Sequence, residues 1–194
     1  MASERRDSRK RASPKPVTAA GLEASASFYL ERFATSAANL RRVLMRRVRR
    51  SVQAHGTDPA EGAAMVEALI ARWLKSGLLD DRAYATAKTA SLHRRGRSAR
   101  AIAAALAVKG IDRTLISESL AEGEAARPGG DLAAAVALAR RRRLGPFRVA
   151  AEREAARQRD LGTFARAGFS RSVAERVLAC RDGDEAAALP LTEP

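Results

Sequence analysis

The chain has 194 residues, a formal net charge of +14, 46% hydrophobic residues and only 4% aromatic residues. So few aromatic side chains exclude the stacked platforms with which RRM and OB domains read single strands. A single cysteine, Cys180, excludes an internal disulfide framework and is typical of a reducing compartment. Because neither an apolar run of about 20 residues nor the apolar core of a signal peptide is present, we expect a soluble cytoplasmic protein.

The excess of positive charge indicates a polyanion or an acidic protein surface as partner. A basic surface gains affinity by releasing the counterions that condense on phosphates. Ribosomal, tRNA-binding and membrane-surface proteins share this composition, so charge alone indicates a class of partner and no particular function.

The first residues and the first predicted repeat differ sharply in composition. Residues 1–26 are rich in Arg, Lys, Ser and Pro at their start and contain few apolar side chains there. This composition predicts a disordered basic arm. Residues 27–79 predict three helices: a short one near Phe28 to Phe33, one from about Ser36, and one capped by Asp58.

The third of these helices has the clearest pattern in the chain. Pro59 takes the first helical position, Gly77 follows the end, and apolar residues recur between them at spacings of three and four. Trp73 falls in this apolar register, which predicts a core residue, although an exposed binding anchor is the alternative.

Residues 80–124 predict a second set of three helices. Asp80 or Asp81 begins the first, Ser98 the second and Asp112 the third, and Gly110 ends the second. The adjacent carboxylates could suggest acid–base or metal chemistry. Consecutive residues at a helix start do not face each other, so capping is the preferred interpretation.

An internal repeat links this segment to the last part of the chain. "KGIDRTLISESL", residues 109–120, aligns without gaps on "AGFSRSVAERVL", residues 167–178. We therefore predict an all-α protein of three tandem three-helix repeats, 27–79, 80–124 and 129–182, that form an elongated, curved body and are followed by a tail at 183–194. The first repeat has an expanded connection, "RRSVQAHGTD", where the others have a glycine turn.

Catalytic machinery is not evident in the sequence. His55 and His93 are the only histidines, and there is no Walker loop, His-Glu-x-x-His motif or Cys-x-x-Cys pair. We expect no enzymatic activity, no metal and no cofactor.

Basic residues form three clusters, one in each predicted repeat. Solvated helix faces are the plain alternative, but residues 82–111 contain seven Lys or Arg and no acid, which favours a binding surface. The clusters could line one edge of stacked repeats. Their candidate contact residues are Arg41, Arg42, Arg46 and Arg47; Arg94, Arg95, Arg97, Arg100 and Lys109; and Arg140, Arg141, Arg142 and Arg143. Arg49, Arg50 and Arg148 lie beside them.

A helix-turn-helix DNA reader is disfavoured by the distribution of charge. The helix that would enter the major groove carries Glu118, Glu122 and Glu124 against a single Arg113.

The stretch "LLDDRAYATAKTASLHRRGRSARAIAAALAVKGID" resembles the central signature of the RecX family of bacterial regulators of the RecA recombinase. "NLRRVLMRR" with "MVEALIARWLKSGLLDD", and the closing "FARAGFSRSVAERVL", are similar to the family's first and last repeats. The resemblance covers about residues 27–180. It implies three three-helix repeats without catalytic activity, which bind along the groove of the RecA–DNA filament and usually suppress strand exchange and ATP hydrolysis or promote disassembly.

Two other interpretations use the same charge. A stand-alone basic helical protein that binds DNA or RNA through phosphates needs no protein partner. A membrane-surface protein is disfavoured, because the basic helices have small alanine-rich faces without Trp or Phe anchors. We expect a monomer, since a curved repeat that follows a groove need not dimerise.

Overall fold

The computed structural model describes residues 15–126 and 129–189, and every regular element in these ranges is a helix. The all-α prediction is therefore confirmed. The α-helices are α1 Ala19–Leu30, α2 Ala37–His55, α3 Pro59–Lys75, α4 Asp81–Arg94, α5 Ala99–Val108, α6 Arg113–Ala125, α7 Gly130–Arg142, α8 Arg153–Ala167, α9 Arg171–Ala179 and α10 Gly183–Ala188. Two short 3₁₀ turns, Gly145–Phe147 and Ala150–Glu152, connect α7 to α8.

The chain divides into two compact units at Leu79. Among the described residues, the first unit has one apolar core cluster, and the second has two, one that includes Ile102 and Leu106 and one that includes Phe164 and Val177. The helix order of three, three and three, followed by α10, is consistent with the predicted repeats. The second and third predicted repeats, however, belong to one compact unit. An elongated, curved body stays a prediction.

The basic arm predicted over residues 1–26 is contradicted in its last part, where the structure has a helix. Residues 1–14 lie outside the described part of the chain, but α1 begins at Ala19 and not near Phe28. Leu22 and Ala26 are completely buried on one face of α1, four residues apart. The prediction was wrong for residues 19–26, because Leu22 is their one large apolar residue among small and polar ones, which gives too little apolar contrast to stand out.

The expanded connection predicted in the first repeat is also mostly helical. α2 continues to His55, and only Gly56, Thr57 and Asp58 separate it from α3. Gly56 ends α2 with φ of 68°, which glycine adopts at little cost. The Arg-rich composition of the end of α2 concealed its apolar register.

The predicted helix starts of the second unit are confirmed. The Asp80 carboxylate accepts from the Ala83 amide at 2.9 Å, and Asp112 accepts from the Thr114 amide at 2.8 Å. This hydrogen bond to the backbone lowers the pKa of Asp112. Ser98 accepts from the Ala101 amide at 3.2 Å. In the first unit Asp58 caps α3, and Trp73 is a core residue with 4% of its surface exposed.

The predicted tail at 183–194 begins with a further helix. Asp182 caps α10 through the amides of Asp184 and Glu185, and Ala186 is completely buried. Residues 190–194 lie outside the described part of the chain.

Within the second unit, the two predicted repeats interlock through turns that contain glycine. Gly96, in the α4–α5 turn, has φ of 66°, and a Cβ at this position would lie 2.9 Å from the Ala134 carbonyl oxygen on α7. Gly168, in the α8–α9 turn, has φ of 94°, and a Cβ there would overlap Ser98 Oγ at the start of α5. Each turn therefore packs closely against a helix of the other repeat.

Two hydrogen bonds join the start of α5 to the third repeat. The Ser98 hydroxyl donates to the Ala167 carbonyl at 3.0 Å, and the Ala99 amide donates to the Asp131 carboxylate at 2.6 Å. The Asp131 carboxylate on α7 is therefore a second hydrogen-bond acceptor for the amides at the start of α5, in addition to the Ser98 hydroxyl. These contacts fix the position of α5 against α8.

Candidate basic binding surfaces

A groove between α5 and α8, with a volume of about 640 Å³, contains three of the cations that the sequence analysis singled out. We call it the α5–α8 groove. Five of its twelve lining residues are Lys or Arg and none is acidic: Lys88, Arg97, Arg100, Lys109 and Arg166. The structure brings together the predicted residues Arg97, Arg100 and Lys109 and adds Lys88 and Arg166, which the sequence analysis missed.

The floor of the α5–α8 groove is apolar. α5 contributes small side chains three and four residues apart, together with Val108, and α4 contributes Leu92. Val108 exposes 69% of its surface. The buried face of α5, formed by Ile102 and Leu106, points into the core. α5 therefore has apolar residues on its core-facing side and on its groove-facing side.

Arg94 and Arg95 lie away from the α5–α8 groove, towards α7. The Arg141 guanidinium donates to the Arg95 carbonyl at 2.5 Å, so the C-terminal ends of α4 and α7 meet. We call this region the arginine end and define it as Arg94, Arg95, Arg140, Arg141, Arg142 and Arg143. The arginine end thus combines the third predicted cluster with Arg94 and Arg95 of the second. The other cations of the second cluster, Arg97, Arg100 and Lys109, lie in the α5–α8 groove.

The arginine end has cations at the carbonyl ends of two helices. Positive charge is favourable there because the last carbonyls carry partial negative charge, and this stabilisation accounts for part of the pattern. Arg140 also lies over the Phe147 ring, 5.5 Å from its centroid. Arg142 and Arg143 are exposed, and within the described residues neither has a carboxylate within 4.0 Å.

Arg148 is a structural residue, although it was grouped with the third cluster. Its guanidinium donates to the buried Asp160 carboxylate at 3.1 Å, and the other oxygen of Asp160 accepts from the Gly145 amide at 2.9 Å. The pair anchors the 3₁₀ turn that follows α7 and is not exposed for binding.

The cluster on α2 belongs to the first unit and is partly paired. Arg41 forms a 2.5 Å ion pair with Glu67 on α3, and Arg47 donates to the Ser25 hydroxyl at 2.6 Å. Arg42 and Arg46 are exposed. Arg41 and Arg47 therefore tie α2 to its neighbours, which weakens the case for them as contact residues.

The acidic side chains of α6 face α4. Arg82 pairs with Glu118 and with Glu122, and the Thr86 hydroxyl donates to Glu122 at 3.1 Å. These exposed contacts join α6 to α4, and the helix-turn-helix interpretation stays disfavoured by the distribution of charge.

Within residues 15–126 and 129–189, no group of three or more His, Cys, Asp or Glu side chains is arranged to hold a metal ion. The helices in the same ranges are too short or too polar for any of them to cross a membrane.

Comparison of the sequence with known proteins identifies the family to which the chain belongs. The chain is 43% identical over 166 residues, 85% of its length and 88% of the relative, to Regulatory protein RecX of Myxococcus xanthus (strain DK1622). The chain belongs to the RecX family. It is also 33% identical over 155 residues, 80% of each chain, to Regulatory protein RecX of Agrobacterium fabrum (strain C58 / ATCC 33970).

A family model described as the second three-helix domain of RecX matches residues 80–120. This match covers α4 and α5 and most of α6, and it includes four of the five cations of the α5–α8 groove. The remaining cation, Arg166, comes from α8. No solved structure matches the chain.

Proposed function

We propose that this RecX-family protein regulates a RecA-type recombinase by binding along the recombinase–DNA filament, without catalysing a reaction itself. The family relatives named Regulatory protein RecX support the regulatory role. The observation that carries the binding mode is the presence of two cationic surfaces in one compact unit: the α5–α8 groove, whose lining contains no acid, and the arginine end.

The arginine end is the proposed DNA contact. Arg142 and Arg143 are consecutive, exposed guanidinium groups, and guanidinium binds phosphate oxygens in a bidentate manner. Such contacts position a protein on nucleic acid without reading the base sequence. They therefore suit a protein that binds recombinase filaments on DNA of any sequence.

Two surfaces on one rigid unit allow bridging. A unit that holds DNA with one surface and recombinase with the other restrains the motion between them. If hydrolysis of ATP requires that motion, bridging lowers the rate of hydrolysis. Competition between this protein and free recombinase for DNA also disfavours the addition of new recombinase subunits to the filament. We therefore propose inhibition, by loss of filament dynamics or by disassembly.

The decisive test is the single-stranded-DNA-dependent ATP hydrolysis rate of the cognate recombinase, with this protein titrated from far below to equal concentration. We expect hydrolysis to fall at substoichiometric amounts, since a few bound molecules interrupt a cooperative filament. Inhibition only when the protein can coat the DNA would contradict the proposal and indicate simple competition for phosphates.

A quadruple substitution to Ala at Arg94, Arg95, Arg97 and Arg100 tests the surfaces directly. We expect weaker filament binding with a flatter salt dependence, because each phosphate that the variant no longer neutralises lowers the slope of log K against log salt by about 0.9. Helix content measured by circular dichroism should be unchanged.

The matched control removes the same charge elsewhere, by substitution to Ala at Arg72, Arg159, Arg171 and Arg181. Three of these side chains form exposed ion pairs with Glu23, Glu175 and Glu185, and such pairs add little stability. If the control and the test variant lose affinity equally, net charge is responsible and the assigned surfaces are wrong.

A stand-alone nucleic-acid-binding protein is the second candidate, and the arginine end is the observation that favours it. That function predicts equal affinity for bare DNA or RNA and for the filament at physiological salt. A clear preference for the filament would eliminate it.

A further inference from the structure

We propose that the α5–α8 groove docks an acidic amphipathic helix of the recombinase, and that nucleic acid binds elsewhere on the protein. This inference rests on the proposed function and specifies the chemistry of the protein contact. It divides the candidate cations into a protein-binding set in the groove and a phosphate-binding set at the arginine end.

The apolar floor is the first reason. Val108 exposes 69% of its surface in a groove lined by five cations, and Leu92 lines the same groove. A phosphodiester backbone has no apolar surface to cover these side chains, whereas an amphipathic helix has one. Exposed apolar surface rimmed by polar residues is typical of a protein contact.

The arrangement of charge is the second reason. The cations come from α4, the α4–α5 turn, both ends of α5 and α8, so every element that lines the groove contributes at least one. A helix that inserts leucine-like side chains into the floor would carry its flanking carboxylates towards Arg97, Arg100 and Arg166. Because no acid lines the groove, these carboxylates meet attraction from every element around it.

The dimensions are the third reason. About 640 Å³ of open groove accommodates several side chains from one face of a helix, and the interlocked turns at Gly96 and Gly168 hold its walls in place. A groove formed before binding loses little conformational entropy when it is occupied.

The test compares Val108→Ser with the matched control Val149→Ser, using filament affinity and bare single-stranded DNA affinity as separate measurements. Val108, the last residue of α5, and Val149, which does not line the α5–α8 groove, expose 69% and 68% of their surface, so both variants should fold. We expect Val108→Ser to weaken filament binding about tenfold, which corresponds to the loss of one buried valine side chain, and to leave binding of bare DNA unchanged. Val149→Ser should bind both as the unaltered protein does.

Two results would overturn the docking proposal alone: filament binding that is the same for Val108→Ser and the unaltered protein, or an equal loss towards filament and bare DNA. If the unaltered protein does not bind filaments, the proposed function fails and the docking proposal fails with it. The three results are distinguishable in one set of titrations.

A photo-crosslink identifies the occupant. With p-benzoylphenylalanine in place of Ala104, an exposed residue on the groove floor, irradiation of the protein bound to the recombinase filament should join it to a helix of the recombinase that is rich in Asp and Glu. A crosslink to DNA, or to a recombinase segment without that composition, would reject the assignment.

Discussion

At the scale of single residues, Arg143 stands out by its backbone. It ends α7 with φ and ψ both at 53°, the left-handed region, where glycine is the usual residue. Among the described residues no other non-glycine has a positive φ. A non-glycine residue in this conformation costs about 1 kcal/mol. Under the proposed function, the Arg143 side chain is a phosphate contact of the arginine end.

Arg143→Gly should therefore increase the free energy of unfolding by about 1 kcal/mol while weakening DNA binding. The matched control is Arg143→Ala, which removes the charge but keeps the strain. It should weaken DNA binding equally without gaining stability. Urea unfolding and DNA titrations measure both effects, and a stable Arg143→Gly variant with full DNA affinity would show that the arginine has no binding role.

At the scale of elements, the α4–α5 turn decides where the cations point. The Arg95 carbonyl accepts a hydrogen bond from Arg141 on α7, whereas Arg97, two residues later, lines the α5–α8 groove. Gly96 separates them with a positive φ and packs against the backbone of Ala134 and Leu138. The same glycine thus divides the basic cluster and joins the second and third repeats.

Gly96→Ala should lower the free energy of unfolding of the second unit by about 2–4 kcal/mol, because it adds backbone strain to a clash with the rigid helix backbone. Gly56→Ala is the matched control, since Gly56 has φ of 68° and open space around its Cβ position. It should lower the free energy of unfolding of the first unit by only about 1 kcal/mol. Equal losses measured by urea titration would mean that contact with α7 is unimportant.

At the scale of the whole molecule, the two units have separate cores and separate natural probes. Trp73, the only tryptophan, is buried in the first unit, and Cys180, the only cysteine, is buried in the second. Burial, followed by the charges of Glu185 and Asp182, raises the pKa of the Cys180 thiol, so the folded protein should react slowly with thiol reagents.

Urea unfolding followed with these two probes should therefore show a separate transition for each unit. We expect tryptophan fluorescence to report the first unit and thiol reactivity the second, and Gly96→Ala to shift only the thiol transition. Identical shifts in both transitions would indicate that the chain unfolds as one cooperative body, contrary to the division into two compact units without a shared core cluster.

The sequence by itself determined the features that depend on neighbours a few residues apart. Caps at Asp58, Ser98 and Asp112 and the core position of Trp73 follow from hydrogen bonds and apolar spacing within one helix, and the RecX signature lies in the same local patterns. The start of α1 at Ala19 was not predicted, because burial of residues 19–26 depends on contacts with α2 and α3 and their own composition has little apolar contrast.

Only the tertiary structure decided which distant residues share a surface. It placed Arg166 beside Arg97 and Arg100, brought Arg141 to the end of α4, and gave the start of α5 a carboxylate from Asp131. These groupings depend on the direction in which each glycine turn leads the chain and on the close packing that follows. Turn direction and packing arise from the whole fold, since spacing along one helix carries no information about the helix that will lie opposite.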